Sequence, residues 1–167
     1  MRNAVMMSVV GACALLAGCG QSGEKAAEAP AAPAAPEPTD AEKQALLAAL
    51  PAPYNTADLA NGKQKFAMCR SCHTIVPGGA NMTGPNLHGV FGRKAGTVES
   101  YKYSEVVKNA GFIWDADHLD KWLAEPRTFL PGTKMSFAGL KNPKDRVDLI
   151  AFLKVETGYK AGPTAAD

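Results

Sequence analysis

The chain has 167 residues, 46% of them apolar and 20% charged, a globular composition that excludes a disordered chain, a collagen-like chain and a many-pass membrane protein. Its formal net charge of +2 is too small to mark a nucleic-acid binder. Four cysteines are split between the apolar N-terminus (Cys13, Cys19) and the middle of the chain (Cys69, Cys72).

Arg2 is the only charged side chain in the first 23 residues, and an apolar or small run follows from Ala4 to Gly18. That run is shorter than the roughly 20 residues a bilayer-spanning helix needs, so it reads as a secretory signal. It ends in Leu16-Ala17-Gly18-Cys19, which resembles the bacterial lipobox. The resemblance implies cleavage before Cys19 and lipidation of that cysteine. Stable anchoring takes more than one acyl chain. The expected layout is a signal over residues 1–18, an Ala/Pro-rich tether over 19–55 and one folded domain over 56–167.

Within the tether, Thr39-Asp40 can cap a short helix through Leu46, Leu47 and Leu50 that Pro51 stops. That helix either docks on the domain or merely interrupts the tether. In the domain, Thr56 is placed to cap a helix through Leu59, Phe66 and Cys69. A short helix is expected over Ser104 to Lys108, before Gly111. Asp115 can cap another, with Leu119, Trp122 and Leu123 on one face and Pro126 as its stop. Asn142-Pro143 opens the last, with proline at the first helical position and Val147, Leu149, Ile150 and Leu153 supplying apolar surface. Gly158 suits its end. The expected class is all-α, three to four helices. So few short helices hold too little apolar area for an easy core, which points to a large internal cofactor.

Cys69-Arg70-Ser71-Cys72-His73 is a C-x-x-C-H motif, the attachment site of c-type haem. Two thiols can add across the two vinyl groups, and the next residue is placed to give an imidazole nitrogen to iron. A redox dithiol, a zinc site and a disulfide are the alternatives. No βαβ pattern supports the first, and no second cysteine pair supports zinc. An electron carrier needs a second axial ligand, and a methionine thioether suits electron transfer. Met68, Met82 and Met135 are the methionines left after cleavage. Met135, in the turn-forming run Pro131-Gly132-Thr133-Lys134-Met135, is the candidate; Met68 and Met82 read as core filler. His88 and His118 read as surface or loop histidines.

From Gly62 to about Glu156 the chain resembles class I cytochrome c, in particular the mitochondrial and alphaproteobacterial type. The motif carries the resemblance together with Thr83-Gly-Pro-Asn-Leu-His-Gly-Val-Phe-Gly-Arg93, Gly111-Phe-Ile-Trp114, Pro131-Gly-Thr-Lys-Met-Ser-Phe-Ala-Gly-Leu140 and Asp148-Leu-Ile-Ala-Phe-Leu153. It implies one haem c, covalent through Cys69 and Cys72, with His73 and Met135 on the iron. It implies that the Pro85 carbonyl accepts from the other His73 nitrogen, which orients the ligand. It implies that Arg93, Tyr103, Trp114 and Thr133 stand near the propionates. Gly62 and Phe66 match the N-terminal helix where it crosses the C-terminal one, opposite Leu149 and Phe152. Trp122 and Val107 depart from the pattern, where the mitochondrial type has tyrosine and asparagine.

From Thr56 onward there are 15 Lys and Arg against 11 Asp and Glu. Lys63, Lys65, Arg127, Lys134 and Lys141 fall in or near segments that flank the haem edge in the family, where positive charge would steer acidic partners. The resemblance implies a monomeric one-electron carrier, not an enzyme, between a quinol-oxidising cytochrome bc complex and a terminal oxidase. The anchor places it on the periplasmic face of the membrane. The alternatives are a donor module dedicated to one dehydrogenase or peroxidase, and a haem sensor or enzyme with a labile methionine.

Overall fold

The computed structural model describes residues 38–160. The signal segment, Cys19 and the tether up to residue 37 lie outside the described residues, as do residues 161–167. Six helices follow one another: α1 (Asp40–Ala48), α2 (Leu59–Phe66), α3 (Glu105–Lys108), α4 (Ala116–Ala124), α5 (Pro126–Phe129) and α6 (Pro143–Glu156). Among the described residues the only β pairing is an isolated antiparallel bridge between Lys94 and Ile113. The class is all-α as expected, with more helices than the three to four anticipated, two of them only four residues long.

α1 begins with a reciprocal cap. The Glu42 N–H donates to Thr39 Oγ1 at 3.3 Å, and the Thr39 N–H donates to Glu42 Oε2 at 2.7 Å. The helix is docked, which settles the choice the sequence left open: Leu47 and Leu50 are buried against Ala151 and Val155 of α6. Lys43 Nζ adds an ion pair to Glu156 Oε1 at 2.7 Å.

α2 starts two residues later than expected. Thr56 belongs to a short 3-10 turn, and its hydroxyl donates to the Pro53 carbonyl rather than accepting from a helix N–H. Asp58 is the cap, accepting from the Ala60 and Asn61 N–H groups at 2.9 and 3.0 Å. The helix also stops before the cysteines. Cys69 to His73 lie in successive turns held by Cys69 N–H to Phe66 O, 2.8 Å, and His73 N–H to Cys69 O, 2.9 Å.

α4 and α6 begin where the sequence places them. Asp115 accepts from the His118 N–H at 2.8 Å, and Asn142 accepts from the Lys144 N–H at 2.9 Å ahead of Pro143. Pro126 ends α4 and also opens α5 as its first residue, a turn the sequence reading did not foresee. Arg146 of α6 ties back to α4 through Nε to Asp120 Oδ1 at 2.7 Å.

The centre is the crossing of α2 and α6. A Cβ on Gly62 would collide with the Asp148 carbonyl and with Phe152, so only glycine permits this approach. Phe66 and Phe152 meet with ring centroids 5.6 Å apart. α6 is buried continuously from Asp148 to Val155. It has no solvent face there, because α1 covers one side and the cavity described below takes the other.

Candidate functional site

A cavity of about 440 Å³ opens beside the α2–α6 crossing, within the roughly 300–1,000 Å³ common to cofactor sites. The structure brings all nine sequence-identified site residues to its walls: Cys69, Cys72, His73, Pro85, Arg93, Tyr103, Trp114, Thr133 and Met135. Cys19 lies outside the described residues. Leu119, Trp122, Leu123, Leu149 and Leu153 give the cavity its apolar wall. His88 and His118 are not part of it. The His118 imidazole closes the α4 cap on Asp115 and stacks on Phe112.

Local structure accounts for each placement. His73 leaves the motif turn with its ring against Gly84, where a Cβ would collide with the imidazole. Its Nδ1 is 2.7 Å from the Pro85 carbonyl oxygen. A carbonyl only accepts, so Nδ1 carries the hydrogen and Nε2 keeps a lone pair. Burial holds the imidazole below its usual pKa while the Pro85 carbonyl pulls the other way, so the neutral, ligating form dominates at neutral pH.

Arg93 and Trp114 are set side by side by backbone pairing: the Gly92 N–H donates to Trp114 O at 2.8 Å and the Trp114 N–H to Arg93 O at 2.9 Å. The Arg93 guanidinium donates to the carbonyls of His88 and Asn86 at 3.0 and 3.1 Å. Tyr103 stands edge-on to Tyr101, whose hydroxyl donates to the Thr83 carbonyl at 2.6 Å. In the loop after α5, the Met135 N–H donates to Thr133 Oγ1 at 3.2 Å.

Cys69 and Cys72 are free thiols. Burial, with a smaller contribution from Cys72, pushes the Cys69 thiol up to about 11. Redox-active dithiols work by the opposite shift, so the pair does not suit thiol exchange. Among the described residues no group of three or more His, Cys, Asp and Glu is placed to hold a metal ion, which leaves the zinc alternative without ligands.

Met68 and Met82 are 50% and 47% exposed, so the core-filler reading is corrected for both. Met68 sits in the turn beyond α2 and lines the cavity, and the Met82 N–H is tied to Gly84 O. Ser104, expected only as the first residue of a short helix, precedes α3 at its N-cap position. It makes no capping bond, and its buried Oγ lines the cavity without a hydrogen-bond partner. Tyr101 was likewise missed; its ring and hydroxyl reveal a role only once the chain is folded.

The implied cofactor fits these walls. Two free thiols, an imidazole with an available nitrogen, a thioether and a large apolar lining share one cavity. Ser104 Oγ, an orphaned buried hydroxyl, needs a polar partner there.

The cytochrome c family model matches residues 59–155. The chain is 47% identical to cytochrome c of Cochliobolus lunatus over 105 residues, 62% of this chain and 97% of that protein. It is 44% identical to cytochrome c2 of Blastochloris viridis over 109 residues, 65% of this chain and 86% of that protein. In structure it is similar to cytochrome cH from Methylobacterium extorquens, with a TM-score of 0.55 and 43% identity, over 59% of this chain and 98% of that one. With its motif, its helical fold and its cavity all in agreement, the chain belongs to the cytochrome c family: a class I c-type electron carrier holding one haem covalently through cysteine.

Proposed function

We propose that the protein is a one-electron shuttle on the periplasmic face of the membrane, held there by a lipidated Cys19. It takes electrons from a quinol-oxidising cytochrome bc complex and passes them to a terminal oxidase. The observation that carries the reading is the cavity's two candidate axial side chains: His73, oriented by Pro85, and Met135, held in its loop by Thr133.

Bound haem supplies the one-electron couple. The protein's part is to keep the coordination shell the same in both oxidation states. Cys69 and Cys72 would hold the group as thioethers. The Pro85 carbonyl fixes the His73 ring and raises its basicity. Met135 would be the second side chain to hold the iron, and a thioether paired with a histidine would raise the potential. The leucine and tryptophan walls exclude water. Arg93, Tyr103, Trp114, Thr133 and Ser104 offer polar atoms to the propionates, which are costly to bury unpaired.

Among the described residues no helix is long and apolar enough to cross a membrane. The run Leu16-Ala17-Gly18-Cys19 supports attachment by acyl chains instead. The test is turnover: membranes containing the bc complex and oxidase should reduce and reoxidise the holoprotein on a catalytic timescale. Failure of either half-reaction, with normal ligation, sinks the shuttle role and favours a dedicated donor.

A further inference from the structure

Six of the residues that line the cofactor cavity are exposed and so mark where it opens to solvent: Met68, Ser71, Thr83, Lys134, Ser136 and Ala138. Five of them carry no charge. Of the five cations that the sequence places near the cofactor edge, Lys134 alone lines the cavity. Lys65 is held by Asp145 Oδ2 at 2.9 Å, and Lys141 by Glu125 Oε1 at 3.4 Å. The mouth itself therefore presents a single cation, which is little with which to steer an acidic partner.

Met68 is the apolar feature of this rim. Among the described residues five large apolar side chains are exposed, and Met68, at 50%, is the one in the cavity wall. A methionine side chain is unbranched and polarisable, which lets it mould to a facing surface. The backbone of the rim is fixed. The Met68 N–H donates to Lys65 O at 3.2 Å. In the loop after α5, the Leu140 N–H donates to Leu123 O at 2.7 Å, and a Cβ on Gly139 would collide with the Ala124 carbonyl. That close approach holds the segment carrying Ser136 and Ala138 against the end of α4. A rim that is already ordered loses little freedom on docking.

We infer that Met68 anchors the redox partner, and that the partner meets this rim with an uncharged, apolar surface around its own redox centre. Short-range contact, rather than charge, holds the pair. A tether in the partner's membrane supplies the local concentration that charge steering would otherwise provide. The partner's being a membrane complex rests on the shuttle reading; the chemistry of its docking face does not.

The test uses full-chain holoprotein carrying Cys19→Ser, so that no acyl chain contributes to binding. It is sedimented with membranes containing the bc complex and oxidase, and with vesicles of the lipids extracted from them. The excess on membranes is binding to protein. Its dissociation constant should change less than about threefold between about 20 mM and about 200 mM salt, a range over which steered pairs lose most of their attraction. Met68→Leu should bind within about twofold of the unmodified side chain. Met68→Ser should bind about fivefold more weakly, as expected when roughly half a methionine side chain is no longer buried. Met68→Lys should also bind more weakly, even at low salt, where a partner that reads charge would bind it more tightly. A larger fall with salt, tighter binding of Met68→Lys, or no excess over lipid overturns the inference. So does a loss in Met68→Ser that comes with a shifted visible spectrum, which assigns the side chain to the cofactor instead. Turnover separates this inference from the shuttle reading. Binding that depends on Met68, without reduction or reoxidation by the membranes, sinks the shuttle and supports the docking face. Turnover without such binding does the reverse.

Discussion

His73 Nδ1 and the carbonyl oxygen of Pro85 are 2.7 Å apart, and Gly84 supports the same imidazole from its face. The ring is held by backbone alone, so side-chain substitution at Pro85 cannot remove the acceptor. Gly84→Ala is the informative change. It drives a methyl into the imidazole, an overpacking that costs about 1–3 kcal/mol. The urea midpoint of the holoprotein should fall accordingly, and the His73-dependent Soret spectrum should shift. An unchanged midpoint and spectrum would mean that the ring is not wedged there.

Asp148 is 1% exposed and accepts from Asp58 N–H, Asn61 Nδ2 and Lys144 Nζ at 3.0, 2.7 and 2.6 Å. Burial raises its pKa, but these donors outweigh burial and hold the carboxyl below its ordinary 3.8. The unfolded chain therefore takes up the proton first as the pH falls. The stability Asp148 contributes is complete above its ordinary pKa and is lost as the pH falls through the lower folded value. Asp148→Asn should cost about 1–3 kcal/mol near neutral pH and flatten the acid limb of the stability curve below about pH 4. Parallel acid limbs in the two proteins would contradict this.

Lys154 is 5% exposed, with Nζ 3.5 Å from the Tyr159 ring centroid, 4.5 Å from Phe91 and 5.6 Å from Tyr54. Burial pushes it down to about 8 from an ordinary 10.5, with Asp115 acting the other way. Between those values the unfolded chain holds a proton that the folded chain has released. Stability should therefore rise with pH across that window, whereas below it the charged form leans on the three ring faces. Lys154→Met should remove the rise. Denaturant midpoints of both proteins at neutral pH and near pH 10 measure the difference, and an identical pH dependence would rule out the shift.

Leu47 is 7% exposed and fixes α1 on α6. Leu47→Ala removes buried methyls at the edge of the fold and should cost about 2 kcal/mol of α1 docking. Amide exchange across α1 is the readout: protection should drop there while α6 keeps its own at Leu149 and Ile150. Uniform loss of protection would mean that α1 does not open as a separate unit.

The site was legible where chemistry fixes sequence spacing. Cys69, Cys72 and His73 must be close in the chain to serve one cofactor, and Asp115 and Asn142 announce their helices by local capping. Relationships formed by distant segments were not legible from residues alone. Nothing local says that Ser104 fails to cap α3 and turns its hydroxyl into the cavity. The Arg93–Trp114 neighbourhood came from the family pattern; the backbone pairing that creates it is visible only in the fold. Asp58 displaced Thr56 as the α2 cap because a preceding 3-10 turn claims the threonine hydroxyl. The docking of α1 depends on small residues, Ala151 and Val155, on the far side of α6.

The most direct test of paired axial ligation is the visible spectrum of the matured holoprotein, oxidised and reduced, beside that of Met135→Ala. A low-spin spectrum with the weak far-red band of sulfur on ferric iron, lost in Met135→Ala, is the expected result. A high-spin spectrum with immediate carbon monoxide binding in the unmodified protein would contradict it, leaving an open site and the chemistry of a sensor or enzyme.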